Sequence, residues 1–145
     1  MTRVYKSSVI EAPVDAVWAH IREFSKLHTW FPGVTDTRLE GSIPAGQAGC
    51  VRNFGLASGG RMREELLEFS DQMHTCVYKM LDGAVPMTRY QASVRLKPGT
   101  DGGSTFAEMS AEFECPPGME NDVAAFLGNT YQTALDGLNR QLKKP

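Results

Sequence analysis

The sequence predicts an α+β domain in which a seven-stranded antiparallel sheet is closed by one long C-terminal helix, and three observations carry that expectation. From Pro117 to Pro145, Met119, Val123, Phe126, Leu127, Thr130, Tyr131, Ala134, Leu135, Leu138 and Leu142 recur at spacings of three and four, which makes one apolar stripe. Glu120, Asp122, Gln132, Asp136, Arg140 and Lys143 lie opposite it and face water. Upstream, six strand-like runs are separated by EGSIPAGQA, ASGG, SDQM, DGAVP and PGTDGG, connections with the Gly, Pro, Ser and Asp content that hairpin turns require. Ahead of these runs come one more strand and two short helices.

Val4 to Glu11 alternates loosely and carries β-branched residues, as a first strand does. Ala12-Pro13 stops it, and Pro13 suits the first turn of a helix that repeats Val14, Val17, Trp18 and Ile21 to about Phe24. Ser25 is placed to cap a second short helix, SKLHTWF, which Pro32-Gly33 ends. The strands expected next are Thr35 to Glu40, Gly49 to Leu56, Arg61 to Phe69, His74 to Leu81, Met87 to Lys97 and Ser104 to Cys115. The final helix matches the length of a long strand, so it can cover the sheet and leave a space that is either filled or open to a ligand.

A chain of 145 residues is expected to form one domain, residues 1 to 145. Fifteen Lys and Arg against 17 Asp and Glu give a net charge of -2, which offers no basic field for nucleic acid. No segment has the length and apolarity of a membrane span, and MTRVYKSSVIEAP lacks the apolar core of a signal peptide, so the cytosol is the expected location. Cys50, Cys76 and Cys115 form no CxxC pair, and His20, His28 and His74 lack a partner at ligand spacing. Neither a metal nor another cofactor is expected. Oligomeric state is not readable, although a strand edge offers a place for a second copy.

Strand alternation sorts side chains by face. Ala107, Met109, Ala111 and Phe113 face the helix in the last strand, with Tyr90, Ala92, Val94 and Leu96 before them and Cys76, Tyr78 and Met80 before those. The third strand sends in Arg52, Phe54 and Leu56. In the fourth, Leu67 and Phe69 set an inward parity that also carries Arg63 and Glu65 inside. Buried charges demand partners, so Glu65 is expected to meet Arg52 or Arg63. Three readings stand: a structural ion pair, a β-bulge that turns Arg63 and Glu65 outward, or a functional site. In the last, Glu65 accepts a proton, Arg52 holds a carboxylate or enolate oxygen, and Tyr78 orients a carbonyl. Trp30, Phe31, Phe54, Arg63, Leu67, Tyr90, Met109, Phe126, Thr130 and Tyr131 complete the expected ligand lining, with Asn129 and Thr133 as further donors from the helix.

The order of elements, together with EAPVDAVW, Trp30-Phe31-Pro32-Gly33 and GQAGCVRNF, resembles the START/Bet v 1-like (SRPBCC) superfamily. GGRMREELLEF, the Tyr-containing strand and RYQASVRLKP narrow the resemblance to its bacterial polyketide cyclase/dehydrase and lipid-transport group. Met109, four residues before Phe113, stands where many relatives have Trp. The resemblance implies a helix-grip fold with an apolar pocket and little about reaction, and two functions suit a pocket with these residues. One is binding of a small hydrophobic molecule, aromatic, polyketide-like or lipid-like, with an acid as the expected head group. The other is cofactor-independent polyketide cyclisation or dehydration by Glu65, Arg52 and Tyr78.

Overall fold

The structure, a computed structural model, describes residues 1–143, so Lys144 and Pro145 of the anticipated helix lie outside the described residues. The chain runs β1 (Thr2–Ile10), α1 (Val14–Ile21), a 3-10 helix (Phe24–Thr29), β2 (Val34–Glu40), β3 (Val51–Leu56), β4 (Arg61–Ser70), β5 (Thr75–Gly83), β6 (Arg89–Pro98), β7 (Thr105–Glu114) and α2 (Glu120–Leu142). All seven strands join one curved antiparallel sheet in the order β1-β7-β6-β5-β4-β3-β2. The meander from β2 to β7 follows chain order because each connection is a short turn, and β1 closes the far edge beside β7.

Residues 116–119 do not join α2. Pro116 and Pro117 are followed by Gly118 at φ 87°, and the Met119 N–H donates to the Pro116 carbonyl in a tight turn that delays the helix to Glu120. The second short helix is a kinked 3-10 turn, with Lys26 at φ -125° and ψ 36°; Ser25 lies inside it and makes no cap. Helix α2 buries Val123, Leu127, Tyr131, Ala134, Leu135 and Leu138. It settles on β1 at Gly128, where a Cβ would stand 3.2 Å from Lys6 Cε. That leaves the β3–β4 half of the concave face uncovered by α2, and there the 3-10 helix closes over the sheet through Leu27, Phe54 and Met62.

Strand β4 departs from simple alternation at Leu67. Leu66 pairs with Tyr78 and Glu68 with Val77, so Leu67 is an extra residue bulged out of the ladder. Met62, Glu64 and Leu66 therefore face inward together with Phe69, while Arg63, Glu65 and Leu67 do not. A second shift between Arg63 and Glu64 places the extra residue, Leu81, on β5.

Candidate functional site

Arg52 on β3 and Glu64 on β4 are direct cross-strand neighbours, and both are pointed into the concave face, each about 4 % or less exposed. Arg52 Nε donates to Glu64 Oε1 at 2.8 Å, and Nη2 lies 2.7 Å from the same oxygen. The guanidinium lies against two rings, 4.0 Å from the centroid of Phe24 and 4.6 Å from that of Tyr78, with Phe54 at 5.7 Å. Burial pushes the Glu64 carboxyl above the ordinary carboxylate range, and Arg52 opposes this without cancelling it. Arg52 itself stays protonated: burial would lower it, and the facing Glu64 more than offsets that.

Around this pair lies a cavity of about 450 Å³, a volume within the range of small-molecule sites. Its inner wall is Arg52, Glu64, Tyr78, Tyr90 and Tyr131. Apolar walls come from Leu27, Phe31 and Val34, from Phe54, Leu56 and Met62, from Val85 and Met87 of the β5–β6 loop, and from Leu127 on α2. The Tyr90 and Tyr131 hydroxyls bond each other, and Phe31 meets Tyr131 edge to face at 6.4 Å. Burial raises the proton affinity of all three tyrosines, so they remain neutral phenols. Phe126, 63 % exposed, lines the cavity from its rim, so this member of the apolar stripe belongs to an opening and not to the core. Asn129, Thr130 and Thr133 share that rim, where the two threonine hydroxyls donate to the Phe126 and Asn129 carbonyls one helical turn back.

The expected residues divide. Arg52, Tyr78, Phe31, Phe54, Tyr90, Phe126, Thr130 and Tyr131 line the cavity. Glu65 and Arg63 do not, because the Leu67 bulge reverses the parity read from Leu67 and Phe69. Glu65 sits on the outer face, in register with Val51 and Lys79. Arg63 also lies outside, bound by Glu40 through Nε at 2.7 Å and Nη2 at 2.8 Å and by Asp82 through Nη1 at 2.7 Å, and it holds Glu40 down at about 2. Leu67 is the bulged residue, Met109 is sealed in the core at 1 % exposure, and Trp30 packs on Phe31 behind the wall. Sequence reasoning missed Glu64. The available signal was charge: the 62/64/66 phase turns in one ionisable group, whereas the 63/65/67 phase turns in two.

Cys50 and Cys76 are buried free thiols, and burial pushes Cys76 up to about 11, which leaves it a protonated core residue. Among the described residues no cluster of three or more His, Cys, Asp or Glu is placed to hold a metal ion.

The fold recurs in solved structures. XoxI of Bacillus cereus superposes with a TM-score of 0.87 at 22 % identity, covering 98 % of this chain and 96 % of its own. A protein of Thermobifida fusca gives 0.86 at 25 % identity, covering 98 % and 93 %. A START superfamily protein of Mycobacterium smegmatis gives 0.83 at 12 % identity, covering 99 % and 98 %. No curated protein sequence matches the chain. Residues 1–143 match the family described as polyketide cyclase / dehydrase and lipid transport, and the chain belongs to that family.

Proposed function

We propose that the protein binds a small hydrophobic molecule, aromatic, polyketide-like or lipid-like, in the cavity between the sheet and α2. The observation that carries this reading is a largely apolar cavity of about 450 Å³ whose two charged groups, Arg52 and Glu64, stand together on its inner wall beside Tyr78. Such an arrangement supplies affinity from the walls and orientation from the polar end. Family membership supports it. The test is displacement of the uncharged fluorescent probe 6-propionyl-2-(dimethylamino)naphthalene by uncharged naphthalenes from wild type and from Met62→Trp, whose indole fills the space. Loss of at least about tenfold in probe affinity in a folded Met62→Trp variant is expected. Equal binding by both proteins would place the probes elsewhere and remove the reading.

A second reading is favoured by one observation, the raised proton affinity of Glu64 beside Arg52 and Tyr78. In cofactor-independent cyclisation or dehydration of a polyketide-like carbonyl compound, Glu64 takes the role of base that the sequence assigned to Glu65, and Arg52 or Tyr78 stabilises the enolate oxygen. Turnover of a poly-β-ketone mimic would then fall by about 10² to 10⁴ in Glu64→Gln. Turnover unchanged by that substitution would eliminate this chemistry.

A further inference from the structure

Given that the cavity binds a small hydrophobic molecule, as proposed above, we infer that its inner end is built for an uncharged oxygen group, a phenol, enol, alcohol or ketone, and that it discriminates against carboxylates. The sum of charges carries the inference. Arg52 brings the cavity wall its one positive charge, and Glu64 neutralises it at 2.7–2.8 Å. The remaining ionisable side chains of the wall are Tyr78, Tyr90 and Tyr131, all neutral phenols. A buried carboxylate needs a countercharge, and the only cation here already has one. An acid could enter only with a proton added, to itself or to Glu64, and either route weakens binding near neutral pH.

The geometry also says what would be accepted. Arg52 reaches Glu64 through Oε1 alone, and Nη1 takes no part in the pair. No fully enclosed side-chain polar atom among the described residues lacks a partner, so the unused Oε2 and Nη1 have surface on the cavity. A free acceptor, Oε2, and a free donor, Nη1, thus flank the ion pair at its two ends, with the Tyr78 ring centroid 4.6 Å from the guanidinium carbon. A hydroxyl can donate to the one or accept from the other, and a ketone accepts from the donor. This replaces the acid head group expected from the sequence with a neutral one.

The experiment compares four probes on one skeleton in displacement titrations of the full chain near neutral pH: 2-naphthol, 2-acetonaphthone, 2-naphthoate and 2-naphthylmethylammonium. Both uncharged probes should bind at least about tenfold tighter than either ion, because a neutral site refuses both signs. A site with an uncompensated arginine would instead take naphthoate and refuse the ammonium. In Glu64→Gln, folded by circular dichroism, naphthoate should gain at least about tenfold and pass 2-naphthol, since Arg52 is then free for it. Should that variant not fold, the comparison of naphthoate with 2-naphthol in wild type decides alone. Naphthoate binding wild type as tightly as 2-naphthol would overturn the inference and leave the ligand-binding reading standing. Failure of all four probes to bind would overturn both.

Discussion

Arg52 occupies a position where a cation is tolerable only because three separate contacts hold it: the Glu64 carboxylate, the face of Phe24 and the face of Tyr78. Removing it strands Glu64 without a countercharge, and breaking a buried pair from one side typically costs about 3–5 kcal/mol. Arg52→Met should therefore lose stability of that order near neutral pH, measured by the denaturant midpoint. The sign of its pH dependence follows from Glu64. A carboxyl whose folded proton affinity is raised contributes fully below its unfolded value of 4.5 and loses that contribution as pH rises. Arg52→Met should recover part of its deficit as pH falls toward 4.5, and a deficit independent of pH would show that Glu64 is not the group left exposed to burial. Arg52 and Tyr78 were legible from alternation alone because β3 carries no bulge between Arg52 and Phe54, and β5 none between Cys76 and Tyr78. Glu64 was not, because one residue inserted at Leu67 exchanges the faces of everything before it, and alternation cannot show an insertion until the partner strand is known.

At the scale of elements, α2 does two things on two stretches. Leu135 and Leu138 are sealed against the rest of the core, whereas Phe126, Asn129, Thr130 and Thr133 border the cavity. The apolar stripe made the helix legible, but it could not separate core from rim, because a hydrophobic residue at an opening obeys the same spacing. The two glycines of the helix differ in the same way. At Gly137 the nearest atom to an added Cβ is Arg140 Nη2 at 3.9 Å, so Gly137→Ala should stabilise by about 1 kcal/mol through helix propensity alone. At Gly128 the Lys6 side chain must first move, and Gly128→Ala should gain less. Chemical denaturation of both variants checks this, and equal gains would mean that β1 and α2 are less closely packed at Lys6 than the structure has them.

For the molecule as a whole, the two faces of the sheet carry opposite electrostatic behaviour. On the outer face Glu40 is held down at about 2 by Arg63 and Asn53, and at the β4–β5 turn Asp71, bonded by Trp18 of α1 and by Arg22, is held at about 2 as well. Groups lowered in the folded state contribute above their unfolded values, 4.5 and 3.8, and lose that contribution as pH falls toward 2. The wild type should therefore weaken over that interval, and the double variant Glu40→Gln with Asp71→Asn should show a flatter curve. Thermal unfolding measured across the interval decides, with parallel curves counting against these two pairs. The β2-to-β7 meander and the long helix were legible because turn chemistry and periodicity repeat along the chain; the place of β1 beside β7 and the cavity's polar end were not, because they depend on pairing and register between strands.

Methyl-resolved NMR during titration with 2-naphthol shows whether an uncharged apolar molecule lies against the Arg52–Glu64 pair inside this cavity, as proposed. Resonances of Leu27, Met62, Val85, Met87 and Leu127, which line the cavity, should shift together and saturate with one affinity, while Val77 on the outer face stays fixed. Shifts confined to the outer face, or none at saturating probe, would mean that the cavity does not take such a molecule.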